Sequence, residues 1–181
     1  MLAVLLLVLT FMHTPAYAAE NIETVQAHLE NSENGYRLSA TYAFDLNHTL
    51  EDAVNHGIPL RFTTQVEIKR PRWYWLDEST INAERTIILS RNLLTNEYQA
   101  NIIGGVQRSF ATLDEALSLL RRPNRWVVAE NSALKSGTTY RVSVQMKLDL
   151  DSLSMPIQII SFNNSDWRLA SDRKNFTFKA E

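Results

Sequence analysis

YRLSATYAFDL, residues 36–46, carries an apolar or aromatic side chain at every even position: Tyr36, Leu38, Ala40, Tyr42, Phe44 and Leu46. Arg37, Ser39, Thr41, Ala43 and Asp45 stand between them. A period of two puts the six even side chains on one face of an extended strand, whereas a helix would scatter them around its circumference. The alternation returns in Leu60, Phe62, Thr64, Val66 and Ile68, set between Arg61, Thr63, Gln65, Glu67 and Lys69. It returns again in Tyr140, Val142, Val144, Met146, Leu148 and Leu150, against Arg141, Ser143, Gln145, Lys147 and Asp149. Long strands with one wet and one dry face belong to antiparallel sheets. Shorter strands are expected at 25–30, 85–91, 97–103, 125–130 and 176–179, and the tract 157–162 reads equally as strand or helix. Residues 31–35 and 92–96 have the composition of turns between neighbouring strands.

Two short helices interrupt the strands. Thr112 with Glu115 three residues later is a capping box, followed by Leu113, Ala116, Leu117 and Leu120 at helical spacing and stopped by Pro123. A second helix is expected at about 50–56, capped by Asn47 or Thr49 and ended by Gly57 with Pro59 beyond. The fold class is therefore mainly β: an antiparallel two-sheet β-sandwich, immunoglobulin-like, with two short helices.

Outward from the strands, the chain opens on an apolar run from Leu2 to Met12 that leads into Ala16-Tyr17-Ala18-Ala19, a small-x-small cleavage pattern. The run is about eleven residues, short of the roughly twenty that span a bilayer, so residues 1–18 read as a cleaved signal peptide and 19–181 as one β-sandwich domain. No Lys or Arg precedes the run, so either residues before Met1 or its own amino group supply the positive charge of a leader. The chain has no cysteine, which excludes thiol redox chemistry, Cys-ligated zinc and a cysteine nucleophile. An exported chain without disulfides fits a bacterial periplasm better than an animal extracellular space. A net charge of −2 directs it to neither nucleic acid nor an anionic membrane, and no stable membrane insertion is expected once the leader is removed.

The densest cluster of recognition-type residues is Lys69-Arg70-Pro71-Arg72-Trp73-Tyr74-Trp75, where a proline ends a long strand. Arg70, Arg72, Trp73, Tyr74 and Trp75 form either an exposed aromatic and cationic platform or a plug for the sandwich end, with Trp73 and Trp75 inside and the arginines over the rings. A metal site would need clustered ligands, and His28, His48 and His56 show no ligand spacing even with Asp45, Glu51 and Asp52 nearby. Asp149-x-Asp151 lacks the glycine and terminal glutamate of a calcium loop and reads as a strand-end turn. Gly104-Gly105 lacks phosphate-loop spacing and reads as a tight turn. No Gly-x-Ser-x-Gly elbow is present, and the adjacent acids Glu51-Asp52, Asp77-Glu78 and Asp114-Glu115 rarely face one substrate. No catalytic residue, metal or cofactor is assigned.

The blocks LEDAVNHGIPLRF (50–62), RPRWYWLDE (70–78), SFATLDEALSLL (109–120) and DWRLAS (166–171) together resemble the proteobacterial family called domain of unknown function 4390. The resemblance covers nearly all of 19–181. It implies an exported Gram-negative envelope protein, with a sensor histidine kinase as a plausible class of partner, and it carries over no site residue. The expectation is a non-enzymatic periplasmic interaction module that presents a sheet face or the 70–75 loop to an envelope partner. The alternative is binding or hydrolysis of peptidoglycan or another cell-wall saccharide, with the same aromatics as a sugar platform beside Asp77 or Glu78.

Overall fold

The computed structural model describes residues 21–72, 74, 78–123 and 126–181; the expected leader at 1–18 lies outside them. Strands β1 (Glu23–Ser32) and β2 (Gly35–Ala43) form a hairpin, and β7 (Trp126–Ala129) pairs with the other side of β2. Gly35 makes this hairpin possible. Its φ is 125°, and a Cβ there would collide with the backbone carbonyl of Ala129 on β7.

The second sheet has six strands: β3 (Leu60–Arg70), β4 (Glu78–Arg91), β5 (Tyr98–Ile102), β6 (Gln107–Phe110), β8 (Thr139–Leu148) and β9 (Lys174–Lys179). Their spatial order is β6-β5-β4-β3-β8-β9, with every pairing antiparallel. Long β3 therefore sits in the middle, between β4 and β8. At the outer edges lie four-residue β6 and β9, which has Lys174 and Lys179 at its two ends.

The predicted dry faces are dry. Every even residue from Tyr36 to Leu46, from Leu60 to Ile68 and from Tyr140 to Leu148 is buried. Two ring contacts join the sheets. Tyr36 of β2 meets Phe178 of β9 edge-on at 5.6 Å, and Phe44 after β2 meets Phe62 of β3 at 5.8 Å. Each such side chain withdrawn from water contributes on the order of 1.5–3 kcal/mol, so one shared core holds the two layers together. The expected two-sheet antiparallel body is the observed one.

Helix α1 (His48–Asn55) is capped by Asn47, whose Oδ1 accepts the Leu50 N–H at 2.9 Å, and ends at Gly57 with φ 80°. It buries Leu50, Ala53 and Val54. Helix α2 (Leu113–Arg121) has both bonds of the Thr112–Glu115 capping box and buries Ala116, Leu117 and Leu120. A third helix, α3 (Met155–Phe162), takes up the tract that the sequence leaves ambiguous; Pro156 fits its first turn, where no intrahelical N–H is needed. Strand β6 was not expected, because Gln-Arg-Ser-Phe shows no alternation of oily residues. Gly104 and Gly105 form the β5–β6 turn, and the Asp151 N–H bonds to Asp149 Oδ1 at 3.2 Å in a strand-end turn, both as read from the sequence.

Candidate functional site

The β3–β4 ladder runs from Leu60 opposite Leu89 to Arg70 opposite Glu78, so Pro71, Arg72 and Tyr74 stand at the hairpin tip, just beyond the end of the β3–β8 ladder at Lys69 and Arg141. Pro71 lacks the N–H that would extend the ladder, and pairing stops there. Arg70 and Arg72 are half-buried, each engaged with another residue. Tyr74 is 66% exposed. Trp73, Trp75 and Asp77 lie outside the described residues. Of the five platform residues, the structure thus brings Arg70, Arg72 and Tyr74 to one end of the larger sheet.

Below this tip runs a polar strip that no local motif announces. The odd residues of β3 face away from the core, and register sets their neighbours: Gln65 lies between Glu84 and Gln145, and Glu67 between Asn82 and Ser143. Ser143 in turn lies beside Asn175. The result is a groove of about 450 Å³ along the outer face of the sheet, with Lys69 at the end near the tip and Arg173 at its side. Its polar groups are largely cross-linked. Gln65 Nε2 donates to Glu84 Oε1 at 2.8 Å, Lys69 Nζ meets Glu67 Oε1 at 2.8 Å, and Arg173 Nη1 meets Glu67 Oε2 at 3.5 Å. Ser143 Oγ donates to Asn175 Oδ1 at 2.5 Å. Glu67 is therefore shared by two cations, and the groove presents amide, hydroxyl and carboxylate groups in fixed rows about 4.8 Å apart.

In the core between the two sheets, the hydroxyl of Tyr42 on β2 is buried without a hydrogen bond of proper geometry among the described residues. Burial pushes its pKa up to about 12, tempered by Thr64 close by. Arg85 stands opposite Thr64 on β4, and its Nη1 also has no hydrogen-bond partner among the described residues. Desolvation lowers the pKa of its guanidinium.

Among the described residues no three His, Asp or Glu side chains converge as metal ligands. His48 instead pairs with Asp52 one helical turn on, at 3.4 Å, and His56 Nδ1 lies 2.7 Å from the Asp52 carbonyl. Arg121 clamps helix α2 to the end of β2: its Nε donates to the Phe44 carbonyl, and its guanidinium pairs with Asp45 and Asp114.

Against this geometry, the family model described as "Domain of unknown function (DUF4390)" matches residues 19–177. The chain belongs to the DUF4390 family. Comparison with curated proteins and with solved structures finds no match. The four blocks that resemble DUF4390 map, where described, onto distinct parts of the fold: α1 running into β3, the residues at the β3–β4 hairpin tip, β6 running into α2, and a 3-10 turn running into the bridged residues Ala170 and Ser171. They mark the hairpin tip but not the groove. The DUF4390 description assigns no residue a role, so both sites rest on their own chemistry.

Proposed function

We propose that this DUF4390 chain is a non-enzymatic interaction module of the Gram-negative envelope, exported to the periplasm by a leader removed after Ala18. It presents the tip of the β3–β4 hairpin to an envelope protein, and a sensor histidine kinase is the first class of partner to test. The observation that carries this reading is Tyr74, two-thirds exposed just beyond the last β3–β4 pair, in a segment that also holds Arg70 and Arg72. Aromatic and arginine anchors on a preorganised support are the side chains that dominate interface energetics. Tyr74→Ala should cost about 2 kcal/mol of binding, roughly thirtyfold in Kd, if this ring is a hot spot. The measurement is capture of envelope proteins on the immobilised chain, followed by titration of each captured species. A Tyr74→Ala chain that folds normally and binds every species with unchanged affinity would falsify the tip as the contact.

A second reading draws on the groove. Its rows of amides and carboxylates are the donors and acceptors that sugar hydroxyls use, and the aromatic tip stands at its Lys69 end. Binding of cell-wall saccharide there predicts co-sedimentation with purified peptidoglycan that weakens in Gln65→Ala and Asn82→Ala chains. Failure to co-sediment at all removes it, and release of fragments would move the chain from binder to hydrolase.

A further inference from the structure

The outward apolar face of α3, made by Met155, Ile159, Ile160 and Phe162, carries nothing that specifies a partner, whereas the outer edge of β1 does. Strand β1 has ten residues, with β2 on one side and, among the described residues, no strand neighbour in its sheet on the other. The larger sheet meets it at its start, where Ile22 bridges Ser171. Edge strands invite pairing, and proteins guard them by shortness, by lysine or by proline. The other three edges follow that rule: β6 and β7 have four residues each, and β9 carries a lysine at both ends. Strand β1, Glu-Thr-Val-Gln-Ala-His-Leu-Glu-Asn-Ser, has no lysine, arginine or proline. A register shift between Thr24 and Gln26 confines its regular edge to Gln26–Ser32.

Register fixes which backbone groups that edge offers. The two-residue loop Glu33-Asn34 closes on Ser32 and Gly35, which face each other as the last pair of the ladder and exchange backbone hydrogen bonds. Alternation then turns the N–H and C=O of Glu30 and His28 toward β2, and those of Asn31, Leu29 and Ala27 toward the open side. Side chains alternate as well: Leu29 is buried and Ala27 packs on the core, whereas Gln26, His28 and Glu30 are exposed on the outer face. Arg37 of β2 flanks Glu30 at 3.8 Å.

We propose that β1 pairs antiparallel with β1 of a second copy of this chain, about a two-fold axis at Leu29. Leu29 then exchanges both backbone bonds with Leu29 of the second copy, and Ala27 does so with its Asn31, so every outward group from Ala27 to Asn31 is used. The pairs in between set His28 opposite Glu30 of the second copy, and Glu30 opposite its His28, at the closer Cα spacing of about 4.5 Å. An imidazole N–H is available to the carboxylate whether the ring is neutral or charged. Charge selects this register. Sliding the second strand by two residues, the smallest step that keeps the hydrogen-bond phase, sets His28 against His28 in one direction and Glu30 against Glu30 in the other. This self-match in backbone phase and in charge makes a second copy the occupant. A two-fold pair uses up the edge on both molecules, so assembly stops at a dimer with a continuous sheet, β7-β2-β1-β1-β2-β7.

Sedimentation of the chain 19–181, which contains every described residue, tests this. The parent should form a reversible dimer. His28→Glu sets two carboxylates against each other at both contacts, and Glu30→Lys sets an ammonium against an imidazole; both changes fall on exposed side chains. Each variant alone should dimerise about tenfold more weakly than the parent. Mixed in equal amounts, the two variants again place a carboxylate opposite a basic group at both contacts, and the heterodimer should regain the parent's affinity. Because the chain has no cysteine, register is read separately: oxidised together, His28→Cys and Glu30→Cys chains should cross-link faster than either does alone. A parent that stays monomeric up to about 1 mM overturns the proposal. So does a dimer that both charge variants leave unchanged, or a mixture that fails to recover. Fastest cross-linking by His28→Cys alone would put the axis at His28 and overturn the pairing at Leu29. The dimer rests on β1 and not on the hairpin tip, and Tyr74→Ala leaves all of these readouts untouched.

Discussion

Tyr42 shows how one atom couples the core to pH. Its place at an even position of β2 is set by the alternation around it, and the same alternation drives its hydroxyl into the interior, where it finds no proper hydrogen bond among the described residues. Its folded pKa is raised to about 12 from an ordinary 10. Below pH 10 the phenol is neutral folded and unfolded, so the fold keeps its full stability. Between about pH 10 and 12 the unfolded chain ionises first, and roughly 2–3 kcal/mol is lost across that window. Tyr42→Phe should abolish this loss. At pH 7 it should be neutral or stabilising by up to about 1 kcal/mol, since it deletes an unsatisfied buried group rather than a bond. Urea unfolding of both chains at pH 7 and pH 11 reads the two effects separately.

Helices α2 and α3 differ in what their residues say locally. Everything that makes α2 is within a few residues of it: the Thr112–Glu115 box, the apolar stripe, and Arg121 at its last turn. Thr112→Ala should cost about 1 kcal/mol, seen as a lower urea midpoint with an unchanged slope. For α3 the local signals conflict. Ile157, Ile159 and Ile160 favour strand by their β-branching, while the Ser154-Met155-Pro156 start favours helix. Periodicity cannot arbitrate, because the apolar face is turned outward and the usual inference from oily residue to core points the wrong way. Strand β6 escaped for a related reason: a short edge strand with only β5 beside it has no need to alternate.

At the scale of the whole molecule, the division into two antiparallel layers and nearly all of the core could be read from residues 36–46, 60–68 and 140–150. Which strands are neighbours could not. The groove shows why: Gln65, Glu84 and Gln145 are far apart in sequence, each reads as an ordinary wet-face residue, and only register makes them a row. The hairpin tip is the opposite case, since its cations and rings are consecutive and visible without any structure. One arrangement governs how these bodies behave when crowded. The six-residue margin of the larger layer, Lys174-Asn175-Phe176-Thr177-Phe178-Lys179, has a strand neighbour in its sheet on the β8 side alone among the described residues, and two rings toward the core. Its flanking ammonium groups would repel each other if two molecules tried to zip together along that margin. A Lys174→Val, Lys179→Val chain loses this protection and gains a run of high β-propensity with no charge. Incubated at high concentration, it should scatter light and form cross-β deposits under conditions in which the parent stays dispersed.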